Sequence, residues 1–300
     1  MLNLRRAFTL VEVLVAAVVG GAVLALLATV SARQQRLHRQ LVLATGRAEQ
    51  LQQTEALLPT DIRALAPGEG DIAPGGARDT ALQFRATTLS GVVCDTAGRS
   101  VSLAPVTATG PVLVSSALLP SAGDTLWALA VSDTGEQWYA LPISAVGADH
   151  GGCVIGGVDA LAGAGTQLAR TKLTLAASSA GPIPPPGTPA RVTRPRRYSL
   201  YRSSDRKWYL GDREWNPSTA VFDGIQPVSG PFRPPTQAGI VFRYLDTLGD
   251  VVSSGTSTPR GIALVQVALR ADSDDVNVGR SILQGETQAV LWIGIRDRIR

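Results

Sequence analysis

The chain has 300 residues, 45% of them hydrophobic and 17% charged, with 31 glycines, 19 prolines and a formal net charge of +4. That length allows one large domain or two small ones, and the wealth of Gly and Pro favours a strand-rich, loop-rich body over a helical bundle. Two of the positive charges are Arg5 and Arg6, no stripe of Lys/Arg is interleaved with aromatics, and nucleic acid is therefore not an expected partner.

The N-terminal segment reads MLNLRRAFTLVEVLVAAVVGGAVLALLATV, and residues 13–30 carry no charge. This is about the length, ~20 residues, that crosses the hydrocarbon core of a bilayer as a helix. Arg5 and Arg6 precede it and Arg33 follows, so the positive-inside rule leaves the N-terminus in the cytoplasm and sends the rest outward. An ordinary signal sequence would want a shorter apolar run and a small-x-small cleavage site, for which Ala25 and Ala28 serve poorly. A plain signal anchor fits the length but leaves Glu12 unexplained. A carboxylate inside a spanning helix costs ~2.5–3.5 kcal/mol on insertion scales.

The stretch RRAFTLVEVLVA resembles the processing site of type IV pilins and type II secretion pseudopilins. The resemblance implies a leader over residues 1–7, cut between Ala7 and Phe8 by the prepilin peptidase, and N-methylation of Phe8. Alanine stands at position 7 where the family usually has glycine, and Glu12 becomes the fifth residue of the mature chain, where the family keeps a glutamate. It implies a structural role rather than an enzymatic one, with other minor pilins or pseudopilins, an inner-membrane assembly platform and the lipid bilayer as partners. It also gives Glu12 a purpose: a buried charge is tolerable when paired, and the Phe8 amine of a neighbouring subunit would pair with it.

After Val30 the sequence turns polar without a breaker. Val30, Leu37, Leu41, Ala44, Ala48, Leu51 and Leu58 fall in steps of three, four and seven, along one helix face. A helix over 8–58, with a transmembrane part at 8–30, would be ~76 Å long at ~1.5 Å per residue, ending before Pro59. Its outer half is expected to lay the stripe on a folded head, and His38 lies off that stripe.

Residues 59–300 read as short strands between turns, at 80–89, 91–98, 100–106, 124–132, 137–146, 171–177, 196–204, 207–214, 239–252, 261–271 and 286–296. The Pro-rich stretch 180–195 reads as an extended loop or linker that could split the head into two lobes. The fold class expected is thus α+β: a long N-terminal helix packed on an antiparallel β-rich, pilin-like head. Residues 196–271, with RRYSLYRSSDRKWYLGDRE and GIVFRYLDTLGD, resemble the C-terminal half of J-type pseudopilins and W-type minor pilins. Cys94 and Cys153 are an even pair that reads as one disulfide if the head lies outside the cytoplasm.

Catalytic motifs are missing from the sequence: no G-x-S-x-G elbow, H-E-x-x-H, Walker loop or dinucleotide fingerprint occurs. With two histidines, His38 and His150, far apart, a His/Cys metal site is not expected, and neither is a cofactor. The acidic run with Asp272, Asp274, Asp275 and Asn277 offers oxygens that could bind calcium, but it fails the EF-hand spacing and reads first as a solvated hairpin. The basic run RPRRY at 194–198 reads as a charged strand end, with an acidic partner or lipid headgroups as the other possibility. A membrane-anchored binding module is the competing class. It would need an exposed aromatic patch drawn from Trp127, Trp138, Trp208, Trp215 and Trp292.

Overall fold

The computed structural model describes residues 10–67, 70–104, 115–116, 119–132, 135–155, 158–159, 169–179, 181–272 and 288–295. One long helix, α1 (Leu10–Arg63), precedes an antiparallel β-rich head. Strands β1 (Ile72–Arg78), β2 (Ala81–Ala97) and β3 (Ser100–Leu103) lead to β4 (Ser115–Ser116), β5 (Thr125–Ser132), β6 (Gly135–His150), β7 (Val154–Ile155), β8 (Val158–Asp159) and β9 (Ala169–Leu175). The remainder is β10 (Pro189–Arg202), β11 (Trp208–Asn216), β12 (Val221–Phe222), β13 (Gln226–Phe232), β14 (Ile240–Leu245), β15 (Val251–Val252), β16 (Leu264–Arg270) and β17 (Gln288–Gly294). The protein is therefore α+β, as its sequence pattern implies.

α1 continues through Pro59 to Arg63, past the end expected at Leu58. A proline inside a helix costs ~3 kcal/mol through its missing N–H and its ring. Leu58, Ile62 and Leu65, in steps of four and three, are fully buried against the head. Each is worth ~1.5–3 kcal/mol by burial, so tertiary packing outweighs the breaker.

The expectation for the apolar stripe is corrected in the opposite direction. Leu37 and Leu41 remain 50% and 46% exposed, Ala44 and Ala48 are exposed too, and burial on the head begins only at Leu51. The head meets only the last turns of α1, chiefly through β13 and β17. The described part of α1 N-terminal to that seat projects from it.

Two cores hold the head together. The first lies between the end of α1, the four-stranded sheet β15-β14-β16-β17, and β1, β11, β13 and the adjoining ends of β2 and β10. The second is a barrel. Antiparallel pairings run from β2 to β10, β5, β6, β9 and β3, and from β3 back to β2, closing a ring. Period-two alternation points Val101 and Leu103, Leu126 and Ala128, Leu141 and Ile143, Leu173 and Leu175, and Ala190 and Val192 into it. Cys94 and Cys153 form a disulfide across 4.5 Å between Cα atoms, inside this second core.

β10 starts within the Pro-rich stretch, so its C-terminal part is strand and not linker. Pro195 faces Arg85 on β2, and the Arg85 N–H points the other way, to the Asp71 carbonyl. The Pro195 nitrogen therefore faces the opposite side. There the ladder with β5 has ended at Thr193 and that with β11 begins at Arg196, so no ladder bond is lost. The basic run 194–198 is likewise the interior of a strand, paired with β2 throughout and with β11 from Arg196 on, not a strand end.

Candidate functional site

The N-terminal half of α1 carries the chemistry that the sequence singles out. Ala7 and Phe8 lie outside the described residues, which open within α1 at Leu10. Glu12 sits in its first turn, exposed from the fold, amid the exposed Leu10, Val11, Val13, Leu14 and Val15. An 18-residue window of this helix has mean hydropathy 2.7 and none of it is buried by the head. In water such a surface would be intolerable; lipid is its natural solvent. Arg33, Arg36 and Arg39 then mark the passage into a polar medium.

The other end of α1 is fixed to the head by polar groups that the sequence did not disclose. The Thr54 hydroxyl donates to Ser229 Oγ at 2.7 Å, and the Ser229 hydroxyl donates to the Gln50 carbonyl at 3.0 Å. Two turns on, Asp61 accepts hydrogen bonds from the Tyr198 hydroxyl and from Arg196 Nη1, the latter at 2.8 Å. Arg196 also grips Asp212 with Nε and Nη2, at 2.9 and 2.7 Å. Burial works against the Arg196 charge, but the hydrogen bonds to Asp212 and the neighbouring acidic groups raise its pKa above the ordinary value. Burial is also the main cause that pushes the Tyr198 phenol up, with Asp61 adding to it. The helix end is thus locked in rotation and in register against β10 and β11. Arg196 and Tyr198 share a strand face, which two-residue periodicity could have suggested. Their common partner, more than 130 residues away, leaves no local signal.

The tryptophans do not assemble into one surface. Trp127 is buried, with the Arg85 guanidinium 5.0 Å from its ring, and Arg191 lies between Trp127 and Trp138 at 5.8 and 5.2 Å. Trp215 meets Phe222 edge-on. Trp292 is 58% exposed on β17, directly across from Gln266. His38 and His150 are both exposed. Among the described residues, no group of three or more His, Cys, Asp or Glu side chains could hold a metal ion. Of the acidic run, only Asp272 falls within the described residues.

A bare apolar helix of this length, fixed at its far end to a β-rich head, fits a single-pass membrane-anchored protein. The family model for the prokaryotic N-terminal methylation motif matches residues 2–28, so the chain carries the prepilin-type segment of type IV pilins and pseudopilins. The match ends before the head. No curated protein and no solved structure matches the chain.

Proposed function

We propose that this protein is a minor pilin or pseudopilin, incorporated at or near the tip of a type IV pilus or a type II secretion pseudopilus to prime assembly. One observation carries the reading: the methylation motif leads into a helix in which no described side chain before Leu51 is buried on the head, a stretch of ~60 Å at ~1.5 Å per residue. The leader is residues 1–7, the membrane segment 8–30, and the head begins near residue 59. Prepilin peptidase cuts between Ala7 and Phe8, and Phe8 is methylated. In the inner membrane the N-terminus faces the cytoplasm and the head the periplasm or the outside, where the Cys94–Cys153 bond is at home.

In the assembled filament Glu12 pairs with the Phe8 amine of a neighbour, so only the correct stagger relieves the buried charge. The helices of other subunits cover Leu37 and Leu41, and the bulk of the head suits the end of a filament better than its tightly stacked shaft. The competing reading, an anchored binding module, draws on exposed Trp292, but that ring belongs to the four-stranded sheet and the other tryptophans to the eleven-stranded one.

Mass spectrometry of the N-terminus, on protein from membranes of cells that hold the peptidase, tests this. The expected result is N-methyl-Phe8, with a Glu12→Ala variant cut normally yet absent from sheared filaments. A start after Ala25 or Ala28, or an intact Met1, refutes the pathway. Filament entry by Glu12→Ala at wild-type level refutes the pairing.

A further inference from the structure

The arginines in the sheet differ in their partners: Arg85 and Arg202, for instance, donate to backbone carbonyls. Arg170, Arg191, Arg194 and Arg196 each hold an aspartate within 2.8 Å. Arg197 and Arg213 do not. They face each other directly across β10 and β11, on the sheet surface opposite α1, and neither has a carboxylate within ion-pair distance among the described residues. Like charges placed directly opposite in an antiparallel pair are destabilising. Arg78, at the end of β1, adds a third guanidinium. Burial first, and then the charges of Arg78 and Arg213, lower the pKa of Arg197. Arg213 Nε is buried and has no hydrogen-bond partner, an omission that normally costs ~1–3 kcal/mol. Beside these groups opens a hollow of about 130 Å³ lined by Arg78, Arg197, Gln83 and the Pro74–Gly76 bend.

Two guanidiniums, Arg78 and Arg197, and the Gln83 amide line the hollow, Arg78 keeping its Nε on the Gly75 carbonyl, while Arg213 stands next to Arg197 with its buried Nε unpartnered and no carboxylate balances the pair among the described residues. We propose that Arg78, Arg197 and Arg213, with Gln83, bind a tetrahedral oxyanion, a phosphate or sulfate group, either free or as an ester. Guanidinium forks match such oxygens in pairs, and a dianion balances charge that a single carboxylate would leave in excess. The hollow is large enough for the group itself and open enough for an ester to extend from it. This site is independent of the filament role: it lies on the face turned away from α1.

The test uses the full-length protein in micelles of an uncharged detergent at low ionic strength. Inorganic phosphate is titrated against thermal unfolding and by calorimetry, with sodium chloride at matched ionic strength as the screening control. Saturable stabilisation by phosphate and not by chloride is expected, weakened about tenfold or more in Arg197→Gln and unchanged in Arg243→Gln, an exposed arginine on β14. The unliganded Arg197→Gln protein should unfold at or above the wild-type temperature, because Arg213 then faces no like charge; an arginine with a merely structural role would shift it downward. Glucose 6-phosphate binding more tightly than phosphate identifies an ester as the ligand, and equal binding the free ion. Absence of a saturable response in the wild type, or undiminished binding in Arg197→Gln, overturns the proposal. Should that variant not fold, Arg78→Gln, at the exposed end of β1, gives the same reading.

Discussion

The two cores of the head are filled differently. Between α1 and the sheets lie Tyr198, Tyr244, Phe84, Phe232 and Phe242, all fully buried. The barrel holds Val, Leu, Ile, Ala and the cystine, and no aromatic ring is part of its buried cluster. Geometry accounts for this. A helix on a sheet, with a second sheet facing it, leaves a wide gap that rings fill. A ring of six strands encloses less than the eight-stranded barrels whose interior side chains just fill. The consequence is energetic: small aliphatic residues contribute less burial each, and the barrel draws on a covalent link instead.

The largest expected effect breaks the comparison at that link. Cys94→Ser with Cys153→Ser opens a loop with a sequence separation of 59. Chain entropy puts its cost at about 4 kcal/mol. Hydrogen exchange should show β5, β6 and β9 losing protection before β14 and β16; equal loss everywhere would mean that the cores are one cooperative unit. Leu58→Ala attacks the other core and should cost about 3 kcal/mol in thermal or denaturant unfolding, typical of a buried leucine.

A smaller effect sharpens the contrast by pH. Burial raises the phenol pKa of Tyr198 and of Tyr244 above their unfolded value of 10.0. The folded state thus holds protons that the unfolded chain releases, so stability is intact below pH 10 and falls as pH climbs above it. Both rings belong to the helix-facing core. Alkaline unfolding followed by exchange should therefore loosen β10, β14 and the end of α1 first, and a Tyr198→Phe variant should be less sensitive. The smallest effect lies outside both cores: Leu37→Ser with Leu41→Ser should change stability by less than about 0.5 kcal/mol while lowering incorporation into filaments. A marked fall in stability would mean that the stripe does have a seat on its own head.

That stripe shows where sequence reading reaches its limit. Periodicity reveals that a face is apolar, and it is silent on which chain covers it. Leu51 and Leu58 are met by their own head, Leu37 and Leu41 are not, yet all four fall on one helical stripe. The motif around Glu12 and most strands were legible because they are local. β1 and β13 were missed because IAPGGAR and QPVSGPF are rich in Pro and Gly; β1 has one ladder, to β2, and β13 one ladder, to β11, with only the Phe232↔Ala271 bridge on its other side, so a missing donor costs little. The pattern also split β2 at Ser90 and read β14 and β15 as one strand. The closure of the barrel and the Asp61–Arg196–Tyr198 seat were illegible for a common reason: each depends on partners far apart along the chain.

The strands β2 and β10 run the length of the head and contribute to both cores. Their pairing extends without a gap from Ala81↔Ser199 to Val92↔Pro189, interrupted by a single bulge at Val192/Thr193. No flexible tether joins the cores, so under tension they cannot part like beads on a string. A pull along these strands loads their rungs in shear and all together, rather than opening them one by one. For a subunit fixed to its neighbours by a helix at one end, this spine would let the head bear load as a single stiff body.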